Sequence, residues 1–274
     1  MMGTGLRSIA RSPVGLTLKS LLGMPLPEYI PRLDECVSDL FIWRSDDVWE
    51  TRFDLFHIAG IVNPRFTQPY PVLIHVYDKE GSLLYEQSRE VQYGEVQKLR
   101  LEELLGRQSG FGSFALFHLV DNAALFGKDN TCLVERGYTS FRRKTDGSLL
   151  CSYVHGNGFI LGCDQKRLKV RNVGRPISRA CFYRPQVLFG DCDFFELFLV
   201  NPTSRPIQIS LELFDSGTGA VSRLPTTLPV RGAFFFSSQN GPKGIETIKI
   251  HSEFPMLRPL IFKFYATHFD VLHG

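Results

Sequence analysis

The sequence lacks the patterns that identify several large classes of protein. It has no run of about 18 apolar residues, so we expect no membrane-spanning helix. The six cysteines include no C-x-x-C pair, which argues against a zinc finger or a disulfide scaffold and favours buried thiols in a cytoplasmic protein. A G-x-S-x-G elbow and a phosphate-binding glycine loop are also missing. The 43% hydrophobic and 22% charged residues are typical of a folded protein.

Excess charge is confined to one end of the chain. There are 31 Lys plus Arg residues against 28 Asp plus Glu, and residues 1–27 contain Arg7, Arg11 and Lys19 without any acid. The rest of the chain is therefore neutral and does not supply the positive field that nucleic-acid binding needs, so we expect no nucleic-acid partner. Three roles stay open for this leader: a targeting peptide, peripheral attachment to a membrane or partner, and packing on the fold through its leucines.

Two stretches of the chain, residues 63–81 and 201–217, resemble each other. Each begins with Asn-Pro, continues through an alternating apolar run, and ends in an aromatic residue and Asp shortly before Gly. The flanking segments also match: Phe53, Leu55 and Phe56 with Phe195, Leu197 and Phe198, and residues 114–121 with 261–270. Gly81 and Gly94 are also as far apart as Gly219 and Gly232. Four matching features in the same order predict an internal duplication.

The repeated segment has the pattern of a β-strand. Ile207, Ile209 and Leu211 alternate with polar residues, and Asp followed by Gly is typical of a turn. We therefore predict an all-β fold of two tandem antiparallel β-sandwich copies, with a short N-terminal leader. The predicted boundaries are 1–34 for the leader, which is partly helical or irregular, 35–130 for the first copy, 131–175 for a hairpin and connector, and 176–274 for the second copy.

The repeated unit resembles immunoglobulin-like and fibronectin-III-like modules. This resemblance implies a Greek-key sandwich, an architecture that serves many functions. Phenylalanine dominates the aromatic residues, with 23 Phe against 9 Tyr and 2 Trp, which favours core packing over a sugar-binding platform. Residues 234–236 are expected to form a strand covered on both faces, as in two sandwiches packed as a pseudo-dimer.

Histidines and their neighbours supply the candidates for chemistry. His268 and Asp270 are two residues apart, so on a strand they share a face and could bind one metal ion. The candidate metal ligands are His118, Asp121, His155, His268 and Asp270. The candidate catalytic residues are His118, Asp121, Tyr138, Arg142, Tyr153, His155 and Asn157. The acid pairs Asp46 with Asp47 and Asp191 with Asp193 are expected to be solvated turn residues, with calcium binding as the alternative.

Two functional hypotheses follow from these patterns. The first is a non-enzymatic binding or assembly protein without a cofactor, which binds a protein partner or a small ligand. The alternative is a metal-dependent enzyme with its site between the copies around His118, Asp121 and His155, for which carbohydrate is a candidate substrate. The sequence favours the first hypothesis because it contains no motif for a nucleophile or a metal.

Overall fold

A computed structural model describes residues 35–106, 108–126, 137–144, 151–154, 160–174, 176, 181–215, 217, 219, 221–239, 244–254 and 257–274. The leader (1–34), His155 and Asn157 lie outside these described residues. The described chain forms nineteen strands and three short helices, α1 (Ile58–Val62), α2 (Leu101–Leu104) and α3 (Asn122–Phe126). The all-β fold class is therefore confirmed. None of these helices is long and apolar enough to cross a membrane.

The first unit consists of two four-stranded antiparallel sheets. Its strands are β2 (Phe41–Ser45), β3 (Trp49–Phe56), β4 (Tyr70–Asp78), β5 (Leu83–Val91), β6 (Val96–Arg100), β7 (Gly110–His118), β8 (Tyr138–Arg143) and β9 (Cys151–Val154). Sheet 1a has the order β2-β7-β4-β5, and sheet 1b has the order β6-β3-β8-β9. Phe53 of sheet 1b packs between Phe41 and Phe114 of sheet 1a, with ring centroids 5.2 and 5.7 Å away.

The second unit has the same organisation. Its strands are β12 (Cys181–Tyr183), β13 (Phe194–Val200), β14 (Ile207–Asp215), β15 (Val221–Leu228), β16 (Ala233–Ser237), β17 (Ile245–Ser252), β18 (Leu260–Phe264) and β19 (Phe269–His273). Sheet 2a has the order β12-β17-β14-β15, and sheet 2b has the order β16-β13-β18-β19. Buried aliphatic residues of both sheets, among them Leu211 and Leu197, form one core.

A third element, which we name the linking sheet, joins the two units. It consists of β1 (Glu35–Asp39), β10 (Ile160–Asp164) and β11 (Lys169–Asn172), in the order β1-β10-β11. Leu161 and Cys163 share a hydrophobic cluster with Phe117, a residue on the outer face of sheet 1a. Toward the second unit, the Asn172 amide donates to the carbonyl oxygen of Thr203 at 2.9 Å. The linking sheet therefore contacts both units.

The strands of the two units pair in the same order. The order β2-β7-β4-β5 corresponds to β12-β17-β14-β15, and β6-β3-β8-β9 corresponds to β16-β13-β18-β19. Strands β4 and β14 both contain nine residues and end at the matched residues Asp78 and Asp215. At the Asn-Pro steps, the side-chain oxygens of Asn63 and Asn201 both accept a hydrogen bond from the backbone two residues further on. These asparagines therefore form the same kind of corner before the matched strands.

One part of the sequence match is shifted by two residues. Phe53 lies opposite the fourth residue of β6, and Leu197 lies opposite the fourth residue of β16. Phe53 therefore corresponds to Leu197 in the structure, although the internal sequence match paired Phe53 with Phe195. The apolar pattern of a strand has a period of two, so a two-residue shift keeps the same face inward and leaves the pattern unchanged.

Strand pairing also separates two longer segments that the sequence pattern matched with each other. Residues 114–121 begin within β7, whose place in the second unit is taken by β17. Their sequence match, residues 261–270, lies in β18 and β19, so the two segments are not equivalent. Strand β8 pairs with β3, and β9 pairs with β8. Strands β8 and β9 lie in the expected connector, yet they complete sheet 1b. A boundary at residue 130 would therefore divide this sheet.

The two matched strands differ in how they are covered. In β4, Val72, Ile74 and Val76 face the interior of the first unit, whereas Leu73 and Tyr77 belong to the cluster shared with the linking sheet and the second unit. Strand β14 buries only the face that carries its isoleucines and leucines. Strand β4 of sheet 1a is thus covered on both faces, whereas β14 of sheet 2a is covered only on its inner face, as its alternating pattern predicts.

The units meet through an aromatic interface on the outer face of sheet 2b. Phe262 packs against Trp49 at 5.4 Å and Phe141 at 4.8 Å, and Phe198 packs against Phe111 at 5.7 Å. The first unit does not present the equivalent face of sheet 1b to this contact. The expected pseudo-dimer is therefore wrong, because a dimer-like contact would pair the same face of both units.

An ion pair lies within this aromatic interface. Arg44 of β2 pairs with Glu196 of β13, and the guanidinium carbon lies 5.0 Å from the ring centroid of Trp49. Arg44 also contacts Asp46 at 3.1 Å. Burial raises the pKa of Glu196, and the charge of Arg44 only partly opposes this effect. The ion pair therefore offsets the cost of placing a carboxylate between two units.

Arg231 joins all three parts of the fold. Its guanidinium lies 5.3 Å from the ring centroid of Tyr77 in sheet 1a, and its Nε donates to Asn172 Oδ1 at 2.7 Å in the linking sheet. Its backbone carbonyl accepts a hydrogen bond from Ser113. Arg231 has a φ of 59°, a left-handed conformation that costs a non-glycine residue about 1 to 2 kcal/mol. These contacts offset that cost.

We expect Arg44→Met to lower the free energy of unfolding at pH 7 by about 3 to 5 kcal/mol, because Glu196 then stays buried without its cation. Glu196 takes up a proton as the pH falls through its raised pKa, so the loss should be smaller at acidic pH than at pH 7. Glu196→Gln serves as the control and should cost less, because Arg44 retains Asp46. Urea unfolding at both pH values measures these changes, and an equal loss at each pH would contradict the expectation.

Candidate functional site

The candidate residues His118 and Asp121 have different surroundings. His118 is buried on the inner face of sheet 1a, whereas Asp121 is exposed in the following turn. The third member of this proposed metal set, His155, lies outside the described residues. The geometry of the complete set therefore stays a prediction.

His118 is hydrogen-bonded to Tyr70 inside the sandwich, and the ring of His57 packs against Tyr70 with the ring centroids 4.7 Å apart. The Tyr70 hydroxyl bonds His118 Nδ1 at 3.0 Å and accepts from the Ala59 backbone at 3.3 Å. Burial raises the pKa of Tyr70 to about 12, so this hydroxyl stays protonated at neutral pH. His57 Nδ1 accepts from Gly60 N at 3.0 Å, and its Nε2 lies 2.8 Å from the Gln68 carbonyl oxygen. These hydrogen bonds satisfy the polar groups that are buried inside the sandwich.

Tyr138 and Arg142 of β8 lie on the opposite side of the first sandwich from His118. Both are on the outer face of sheet 1b, where Tyr138 stacks on Phe56 at 5.9 Å and Arg142 pairs with Glu50 at 3.4 Å. Tyr153 lies in β9, opposite Ser140, and Asn157 is outside the described residues. The described candidates therefore do not meet in one pocket.

The predicted metal ligands of the second unit are also separate from His118. His268 Nδ1 lies 3.2 Å from Thr267 Oγ1, and its ring stacks on Tyr265 at 4.5 Å. Asp270 is exposed in β19. Among the residues that the structure describes, no three His, Cys, Asp or Glu side chains are grouped closely enough to hold a metal ion.

One acid of each pair has a structural partner. Asp46 Oδ1 accepts from the backbone of Val48 at 2.8 Å and of Trp49 at 2.7 Å, so it closes the β2–β3 turn. Asp191 pairs with the buried Lys263. These contacts use the carboxylate oxygens that a calcium ion would need.

Cys192 has the environment of an unreactive thiol. Burial raises its pKa, and the neighbouring Asp191 and Asp193 act in the same direction, while the charge of Lys263 opposes them. The sequence predicts the effect of the two acids, but burial is the larger cause. A thiol with a raised pKa is a weak nucleophile at neutral pH.

A cluster of arginines surrounds Glu50 on the outer face of sheet 1b. Glu50 is buried and pairs with Arg52, with Arg100 at 3.0 Å and with Arg142 at 3.4 Å. Burial alone would raise the pKa of Glu50, but hydrogen bonds from Arg100 and Arg52 and their charges outweigh it, so the pKa lies below its ordinary value. Three adjacent strands contribute these side chains, which we name the charged face.

An open cleft of about 690 Å³ lies at the end of the charged face. Four carboxylates and two cations line it together with small polar residues: Ser45, Asp46, Asp47, Arg100, Glu102, Glu103, Gly106, Gln108, Ser109 and Lys144. Lys144 spans the cleft wall, with its Nζ 2.6 Å from Glu102 and 2.9 Å from the Asp46 carbonyl oxygen. The excess of carboxylates favours a ligand that brings cationic or hydroxyl groups.

The charged face occupies the same position as the aromatic interface of the second unit. Strand pairing makes Glu50 equivalent to Phe194 and Arg142 equivalent to Phe264. The charged pair Glu50–Arg142 thus replaces the stacked rings of Phe194 and Phe264, whose centroids are 4.3 Å apart. One position in the fold is apolar and covered in the second unit but charged and open in the first.

Comparison of this chain with protein-family models, curated proteins and solved structures found no match to any of them.

The sequence did contain a signal for the charged face. In the segment WETRFDLF of β3, Glu50, Arg52 and Asp54 alternate with residues that face the core. This alternation predicts a strand with one charged face. The partners Arg100 and Arg142 are distant in the sequence, so only the strand pairing brings them to Glu50.

We expect Glu50→Gln to lower the free energy of unfolding at pH 7 by about 1 to 3 kcal/mol, because the arginines lose a buried charged acceptor. The folded-state pKa of Glu50 lies below its ordinary value of 4.5, so its ion pairs stabilise the fold above that pH and weaken as the pH falls through the lowered pKa. The variant should therefore lose less stability on acidification. Glu103→Gln, at an exposed partner of Arg100, should change stability by at most about 0.5 kcal/mol. Identical pH profiles for Glu50→Gln and the parent chain, measured by urea unfolding, would contradict this account.

Proposed function

We propose that this chain is a non-enzymatic binding or assembly protein built from two duplicated β-sandwich units, and that the charged face with its cleft is the binding surface. The duplication is supported by the shared strand order and by the equivalent asparagine corners. Described cysteines Cys36, Cys163, Cys181 and Cys192 are free, in keeping with the cytoplasmic location that belongs to this proposal. The proposal includes no cofactor.

The strand pairing supports an immunoglobulin-like core with different outer strands. In immunoglobulin domains, strands B and E are neighbours in one sheet, and strands C and F are neighbours in the other. If β3, β4, β6 and β7 are taken as B, C, E and F, both neighbour relations hold here. The outer strands differ, since β8 lies beside β3 and β2 lies beside β7, in the places of strands A and G. The resemblance is therefore proposed for the central strands.

The observation that carries the proposal is the equivalence between the charged face and the covered face of sheet 2b. In the second unit this position is a protein–protein interface within the chain, formed by Phe198, Phe262 and Phe264. In the first unit the same position is open and carries paired charges beside a cleft. Charged surfaces of this kind select partners by complementarity and set the rate of encounter. We infer a partner that brings basic or hydroxyl groups to the acidic cleft.

The test compares two charge variants of the full chain. Glu102→Gln with Glu103→Gln removes two carboxylates of the cleft, whereas Glu246→Gln with Asp270→Asn removes two carboxylates from exposed positions of the second unit. Affinity purification from the source cell, followed by calorimetry with the purified partner, should show binding lost or weakened about tenfold or more in the first variant only. Equal binding by both variants would overturn the proposal, as would a catalytic turnover that the cleft variant abolishes.

A further inference from the structure

The hairpin between β10 and β11 ends in four exposed residues, Lys166, Arg167, Leu168 and Lys169, which we name the basic tip. The tip projects from the linking sheet, in which β11 is an outer strand. Three of its four side chains are cations, and the fourth is a leucine whose exposed fraction is 44%. A leucine enclosed by cations at the end of a hairpin is an unusual choice for a surface turn, where Gly, Asn and Asp dominate.

Leu168 also has an unfavourable backbone conformation. Its φ is 52°, in the left-handed region that glycine adopts freely and that a residue with a Cβ atom adopts at a cost. The leucine gains little from packing at this position because it is exposed. Neither the local conformation nor core packing therefore explains why this residue is a leucine. The leucine therefore points to a role in binding rather than in folding.

The carboxylates nearest the tip are engaged by other groups. Asp164 Oδ1 accepts hydrogen bonds from the backbone of Lys166 at 2.9 Å and of Arg167 at 3.0 Å. Glu35 binds the guanidinium of Arg171 through two hydrogen bonds of 2.7 Å. The acids thus shape the turn and hold β11 in place, while the cationic side chains of the tip point outward with a net positive charge.

The chain enters the fold at the same end of the linking sheet. Strand β1 begins at Glu35, which lies opposite Asp164, the last residue before the turn. The segment that precedes Glu35 therefore joins the fold beside the basic tip. In its first 27 residues, this segment contains three basic residues and no acid. Residues 1–34 as a whole contain four basic and two acidic residues, so the sequence before β1 has a net charge of +2.

We propose that the basic tip docks on an anionic lipid surface, with the Leu168 side chain among the headgroups and the three cations facing the lipid charges. Anionic membranes attract basic residues near the surface, and an apolar side chain adds affinity by leaving water. A nucleic acid would use the cations but would gain nothing from an exposed leucine, which favours lipid as the partner. This surface is separate from the charged face and does not depend on its function.

The first experiment measures binding of the full chain to vesicles of phosphatidylcholine alone and of phosphatidylcholine mixed with phosphatidylserine. We expect binding to the mixed vesicles only, and weaker binding as salt is added. Lys166→Ser with Arg167→Ser should weaken binding about fivefold per charge removed. Arg65→Ser with Lys98→Ser is the matched control, because it removes the same charge from exposed positions of the first unit. Equal losses in both variants would overturn the proposal.

The second experiment uses Leu168→Gly to separate membrane binding from folding. Glycine relieves the left-handed conformation, so the variant should unfold at the same or a higher temperature than the parent chain while binding mixed vesicles several-fold more weakly. A lower unfolding temperature would show that the leucine stabilises the fold and would overturn the proposal. Unchanged vesicle binding would also overturn it, as would tip-dependent binding of single-stranded RNA without vesicle binding.

Discussion

The outer face of sheet 2b has to be covered, and the arrangement of the whole molecule follows from this constraint. Phe198, Phe262 and Phe264 make it too apolar to face water, because burying each ring contributes about 1.5 to 3 kcal/mol. The first unit covers it with Trp49, Phe141 and Phe111. Glu196 lies among these rings, so Arg44 is required as its partner. The linking sheet and Arg231 then hold the units in this orientation.

The same strand order therefore produces two different surfaces. In the second unit, Phe194 and Phe264 stack at a position where the first unit pairs Glu50 with Arg142. The second unit has its charged surface on its other sheet, where Glu212 pairs with Arg223 and Lys249 on the solvent-facing side. Each unit is thus apolar toward the other and charged at its free end. Terminal repeats of stacked proteins carry polar outer faces for the same reason, because such faces prevent further stacking.

Much of the fold can be predicted from the sequence, because strands report their burial through local alternation. The pattern from Ile207 to Leu213 predicts a half-buried strand, and the structure places that strand in sheet 2a with one face in the core. The shift between Phe53 and Leu197 was not predictable from the same pattern, since a period of two repeats at every second residue. His118 shows the limit for sites: its sequence neighbours suggest a ligand set, whereas the partner that uses its Nδ1 is Tyr70, which is 48 residues away.

We expect the aromatic interface to make the two units one cooperative body. Native-state hydrogen exchange of the full chain tests this claim most directly, because it measures the free energy of opening separately in each unit. We predict that the slowest amides of β4 and of β14 share one opening free energy and one dependence on denaturant. A markedly lower opening free energy for β14 than for β4 would contradict it, since the second unit would then unfold while the first remains intact.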